Sequence, residues 1–322
     1  MTIRTKVSSL FMALAIAGSV QAAGFPDKAI NVVVPFPAGG STDAIARAIG
    51  PKVSAKLGQP WVVDNRPGAT GALGGGYVKR AAPDGYTLMV ASIGVYSVNP
   101  LLQKTLPYDP SKDFDLLTVA VQAPNVLVTN ATVPATTVAD FVAYLKKNPD
   151  KITFATSGAG SSDHLTTALF WQKTGTSGLH VPYKGGAPAI TDLLGGHANA
   201  SFQNINVVLS HIKAGKLKAL AVTGSKRSAV LPNVPTLGEA GVKEVDVYSW
   251  QGIAAPKGLP KDVKATLHAT ITGALHDPQI AAKLTEQGFE VVASTPEQFV
   301  KFQAQELARW REVITNGKIT LD

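Results

Sequence analysis

Two clusters of glycine and hydroxyl residues hold most of the chemistry this sequence can do: PFPAGGSTD at residues 35–43 and TSGAGSSDH at residues 156–164. Each follows a strand-like apolar run, INVVV before the first and ITFA before the second, and each precedes a helical pattern. The first N–H groups of a helix have no internal partner and the helix dipole is positive there, so such a turn accepts an anion. In the first turn, Phe36 and Ala38 flank Gly39 and Gly40, whose missing Cβ lets a ligand approach the backbone, and Ser41, Thr42 and Asp43 are good N-cap residues. The second turn repeats the pattern with Ser157, Gly158, Ser161, Ser162 and His164. An ordinary capped helix has the same composition, so one turn says little. Two turns in halves that read as separate domains can grip one anion from both sides if they face a common cleft.

Two further candidates stand in the second half. VPYKGGAP at 181–188 offers the Tyr183 ring and hydroxyl and the Lys184 cation, although a surface turn with a solvated lysine reads the same way. FQNIN at 202–206 places Gln203 and Asn204 at a strand end, where each can donate and accept while neutral; helix capping is the plainer use. Enzymatic signatures are missing. There is no G-x-S-x-G elbow, no G-x-x-x-x-G-K-[ST] and no G-x-G-x-x-G, and the six histidines show no metal-binding spacing. No cofactor is expected. With no cysteine, disulfides and thiolate chemistry are excluded.

The elements that must position these turns alternate between strand and helix along the chain, which argues for α/β domains with largely parallel sheets. Two segments interrupt the alternation: 114–130 reads as two strands joined at Ala123-Pro124, and 247–256 as one extended piece. Such crossings suit a two-lobed protein. The N-terminus, with Arg4 and Lys6 ahead of the apolar run LFMALAIA, reads as a secretory signal cut after Ala22, which predicts an exported mature chain. The charge of +8 comes from 30 basic and 22 acidic residues without a basic, aromatic-rich tract, so nucleic acid is not an expected partner.

The order of motifs resembles the periplasmic substrate-binding proteins of tripartite tricarboxylate transporters, the Bug or TctC family. It is carried by PFPAGGSTDAIAR (35–47), NRPGATG (65–71), AAPDGYTL (81–88), TSGAGSSDH (156–164), VPYKGGAPAITDLLGG (181–196), HIKAGKLKALAVT (211–223) and KRSAVLPNVPTLGEAG (226–241). The resemblance implies a bilobed Venus-flytrap fold of two α/β domains, with residues 23–122 and 254–322 in one and 123–253 in the other. It implies a small organic carboxylate gripped by the loops at 38–43 and 157–162, with Ser92, Tyr183, Gln203 and Trp250 lining the rest. It also implies hinge closure, delivery to the membrane subunits of a transporter, and a monomer; a carboxylate sensor for a receptor kinase is the alternative, and an ester hydrolase is disfavoured. The chain departs from the family at Ala198-Asn199, where V-D is common, and at Gln203-Asn204, where Asp-Asn is common. Replacing an acid by Gln203 predicts tolerance of a dianionic or aromatic acid, since like charges in a dry pocket repel. Phe36, Tyr96, Phe202 and Trp250 are the aromatic residues that would favour a flat acid.

Overall fold

The computed structural model describes residues 24–317 together with 319 and 320, so the expected signal segment and its cut after Ala22 lie outside the described residues. The β-branched run Ile30–Val34 forms β1, buried on both faces as a central parallel strand requires. It is followed by α1 (Ser41–Leu57), β2 (Trp61–Asn65), α2 (Ala72–Lys79) and β3 (Thr87–Ser92). β2 and β3 pair with β1 in parallel on either side, so α1 and α2 are crossover helices. α1 stops at Gly58, whose φ of 70° is the left-handed conformation that only glycine adopts without strain. In α2 the glycines let the helix close on its neighbours: a Cβ on Gly75 would stand 2.5 Å from the Tyr108 ring.

After a π-helical turn at Gly94–Val98 and the short α3 (Asn99–Leu102) comes β4 (Phe114–Thr129). Two strands were expected there. The structure has a single 16-residue strand instead. Its first part, as far as Pro124, pairs with β9; from Asn125 onward it pairs with β7 and β8. Pro124 therefore marks a change of partners and not a break in the chain.

The second half continues with α4 (Val138–Lys147), β5 (Thr153–Thr156), α5 (Ser162–Thr174), β6 (Leu179–Pro182), α6 (Gly186–Leu194), β7 (Ala200–Asn204), α7 (Ile205–Lys213) and β8 (Lys218–Val222). β5 pairs in parallel with β6 and β7, and β4 closes this sheet antiparallel to β7 and β8. The chain returns through β9 (Tyr248–Pro256), antiparallel to β3 and β4. It ends with α8 (Lys261–Leu275), α9 (Pro278–Glu286), β10 (Glu290–Val291), which pairs with β4, and α10 (Pro296–Gly317). The strand order is β2-β1-β3-β9-β4-β7-β5-β6, two α/β layers sharing β4.

α10 locks the return strand. Its Phe299 fills the space over Gly252, where a Cβ would stand 2.4 Å from the ring, and Gln303 Nε2 donates to the carbonyls of Tyr96 and Pro110. Among the described residues no helix is long and apolar enough to cross a membrane.

Candidate functional site

Both glycine turns open onto one cleft between the β1–β3 layer and the β5–β7 layer. From the first layer, Phe36, Ala38, Gly40, Ser41, Thr42 and Ser92 line it; from the second, Ser157, Ser161, Ser162, Gln203 and Asn204 do. The expected convergence of the two turns is thus present in the geometry.

Three helices begin at this cleft. α1 starts at Gly40 without a side-chain cap, and its first backbone bond is Ala44 N–H to Gly40 O, leaving the Ser41 and Thr42 N–H groups to the cleft. α5 starts at Ser161, whose Oγ accepts from His164 N–H, leaving the Ser162 N–H. α6 starts at Gly185, with φ of 126° and no side-chain cap, leaving Gly186 and Ala187; all three line the cleft. No Lys or Arg lines the cleft among the described residues, and Asp163 is the lining residue that ionises. Donors for an anion there come from backbone N–H groups at the helix starts and from hydroxyls.

Each turn is tied back by an aspartate from the helix that follows. Asp43 Oδ2 accepts from Gly39 N–H at 3.0 Å and, with Oδ1, from Arg47 Nε; Asn65 Nδ2 adds a further bond. Burial alone would raise its pKa, but the Arg47, Gly39 and Asn65 hydrogen bonds outweigh burial and hold the carboxyl below its usual range. Asp163 Oδ2 accepts from Ser157 N–H at 2.6 Å, Ser157 Oγ–H at 2.8 Å and Gln203 Nε2 at 3.1 Å. No cation pairs with it among the described residues, and burial pushes its pKa up despite the Ser161 and Ser157 hydrogen bonds. Gly39 and Asp43 thus shape the turn from behind and do not line the cleft.

The two walls touch across the opening. Ser41 Oγ lies 2.9 Å from Asn204 Oδ1 and 2.7 Å from Asn206 Oδ1. Asn204 is held in turn by Asn125 and Ser162 through its Nδ2. Asn206 is a partner that sequence reasoning missed, although it stands inside the FQNIN motif.

Four other expected residues sit elsewhere. Trp250 is 1% exposed and faces the opposite side of β9, where it stacks on Tyr96 and donates from Nε1 to Glu306. Side chains alternate along a strand, so its neighbours Ser249 and Gln251 are the ones that reach the cleft. Tyr183 donates its hydroxyl to Asp192 Oδ2 at 2.6 Å and, raised to a pKa of about 12 by burial and by that bond, is not a lining residue. His164 stacks on His180 at 3.9 Å and accepts from Gly160 N–H. Burial and His180 lower its pKa to about 3, so it stays neutral and braces the loop. Gly158, with φ of 128°, supplies the carbonyl that accepts from Ser161 N–H and Oγ–H. Of the aromatic residues proposed to receive a flat acid, Phe36 lines the cleft, whereas Tyr96, Phe202 and Trp250 are core.

Residues that the sequence did not single out complete the lining. They include Thr70, Gly94, Val207, Ser249, Gln251 and the helix start at Gly185–Pro188. The last lies within VPYKGGAP, but the glycines line the cleft and not Tyr183 or the exposed Lys184.

Comparison with known proteins agrees with this architecture. A profile of the tripartite tricarboxylate transporter family receptor matches residues 45–319. Protein BugT of Bordetella pertussis is 38% identical over 316 residues, covering 98% of this chain and 97% of that protein. The structure of R. palustris Rpa4515 with adipate superposes with a TM-score of 0.90 at 35% identity, covering 92% of this chain and 99% of that one. MatC from Rhodopseudomonas palustris with bound malate gives 0.86 at 32% identity, covering 90% and 100%. The chain belongs to the tripartite tricarboxylate transporter receptor (TctC) family, with the bilobed fold of periplasmic solute-binding proteins and without an enzyme's role.

Proposed function

We propose that the protein captures a small organic carboxylate in the cleft by hinge closure and hands it to the membrane subunits of a tripartite tricarboxylate transporter, working as a monomer in the periplasm. The observation that carries this is the meeting of three helix starts, α1 from one side and α5 and α6 from the other, in a cleft that no lysine or arginine lines among the described residues. Such a site favours an anion and satisfies it with backbone N–H groups. The adipate and malate in the related structures are ligands of this class. Ser41, Thr42 and Ser162 are the proposed grip on the carboxylate, with Ser92, Gln203 and Asn204 around its other end; Ser157 and Ser161 spend their N–H and O–H groups on Asp163 and the Gly158 carbonyl and shape the turn. The two lobes move about β4 and β9. The sequence places the second lobe at 123–253, and the change of strand partners favours the slightly smaller 125–247.

Thermal-shift and calorimetric titration of the mature chain against a carboxylic-acid panel tests this. A ligand held only by the folded state raises the melting temperature. Adipate, malate or another small acid should do so with measurable heat; a panel of organic acids giving neither shift nor heat overturns the proposal.

A further inference from the structure

Gln203 is 1% exposed and lines the cleft, and its Oε1 has no hydrogen-bond partner among the described residues. A buried carbonyl oxygen without a partner is costly and marks a place that a ligand can fill. The orientation of this amide is fixed twice. Nε2 donates to Asp163 Oδ2 at 3.1 Å and to Ser201 Oγ at 3.0 Å, and Ser201 spends its own hydrogen on the Ala155 carbonyl. Turning the amide over would set Oε1 against a carboxylate and against an oxygen with no hydrogen left to give. Ser157 is constrained by the same carboxylate: its hydroxyl hydrogen goes to Asp163, so its remaining lone pairs face outward. The two acceptors converge at Gly186. A Cβ there would stand 3.3 Å from Gln203 Oε1 and 3.4 Å from Ser157 Oγ, so the absent side chain keeps the space open.

From this we infer that the ligand carries, besides its carboxylate, a hydrogen-bond donor that meets Gln203 Oε1: a hydroxyl, an amino group or a carboxamide N–H. A second carboxylate at that point would face lone pairs. The sequence-based expectation that Gln203 eases a second anion rested on the loss of a negative charge; the amide's orientation adds that its acceptor end faces the ligand. Gln251 Oε1, also buried and unpartnered, lines the opposite wall, but its Nε2 meets only the Ser249 hydroxyl at 3.3 Å. A hydroxyl accepts or donates, so that amide is free to turn, and the inference rests on Gln203.

The inference depends on the carboxylate-binding function proposed above, and matched pairs of acids separate the two. Calorimetry on the mature chain compares butyrate with 4-hydroxybutyrate, butyrate with 4-aminobutyrate, and succinate with succinamate. The donor-bearing member of at least one pair should bind about tenfold tighter, the value of pairing a buried acceptor otherwise left bare. In Gln203→Met that margin should fall toward unity. Equal binding within every pair by the wild-type chain, or a margin that persists in folded Gln203→Met, overturns the inference and leaves carboxylate capture standing. If no member of any pair binds while another acid of the wider panel does, the inference is overturned and carboxylate capture stands; if the whole panel fails, the carboxylate function falls and takes the inference with it. Should Gln203→Met not fold, Gly186→Ala sets a methyl in the gap and should erase the same margin; a margin that survives it counts against the inference.

Discussion

The two glycine turns do the same job by opposite electrostatics. In the β1–β3 layer the bracing aspartate is paired with a cation, Arg47, and its carboxyl sits below its usual pKa. In the β5–β7 layer the bracing aspartate has only neutral donors, and its carboxyl sits above. Asp43 is thus a locally settled ion pair that leaves the cleft alone. Asp163 is a buried charge whose environment is the cleft wall itself: it dictates where Ser157 and Gln203 point. In the proposed function one turn is a fixed grip, and the other also determines which acceptors a ligand meets.

The sharpest test of this contrast is to remove each aspartate. Asp163→Ala strands three donors, two half-buried on Ser157 and one buried on Gln203, and should cost about 3 kcal/mol of stability, with loss of ligand binding. Asp43→Ala leaves donors nearer to solvent and should cost about 1 kcal/mol. Urea denaturation measures both, and an Asp43 penalty as large as that of Asp163 would erase the distinction.

Next in size is the contact between the walls. Ser41→Ala removes the hydroxyl that reaches Asn204 and Asn206 and should weaken ligand binding by about tenfold, read by calorimetry. An unchanged affinity would mean that the walls meet without this bond.

The pH response of the pair is smaller but more diagnostic. A carboxyl raised in the folded state contributes stability that is present below its unfolded value of 3.8 and lost as pH rises through the folded value. The penalty of Asp163→Asn should therefore grow as pH falls from about 7 toward 4. A carboxyl lowered in the folded state contributes stability that is fully present above 3.8, so the Asp43→Asn penalty should stay flat over that range. Denaturation curves at several pH values compare the slopes; parallel slopes would mean that the two sites share one electrostatic character.

The smallest expected effect is that of salt. With no Lys or Arg lining the cleft among the described residues, affinity for the carboxylate should change less than about twofold between low and high salt. A steep loss of affinity would point to a cation at the site.

What the sequence revealed follows from how local each signal is. The turns at 35–43 and 156–164 were legible because glycines, hydroxyls and a following helix are neighbours in the chain. The face presented by β9 was not. YSWQGIAAP is buried on both sides, so hydropathy gives no phase, and only packing against α10 shows that Trp250 points inward and Gln251 toward the cleft. β4 misled in a related way. Pro124 looks like a break when read locally, yet the strand continues because its partners change there. The lock on Gln203 was out of reach, since it joins Asp163, Ser201 and Ala155 from three separate elements.

The missing cations also bear on unloading. A lysine-held guest can be freed by neutralising or displacing the lysine, but peptide dipoles have no proton to gain or lose. An anion seated on the starts of α1, α5 and α6 leaves when those helices are drawn apart. Under the proposed hinge closure, release then becomes mechanical work, and whatever pries the walls open must first undo the forked bond of Ser41.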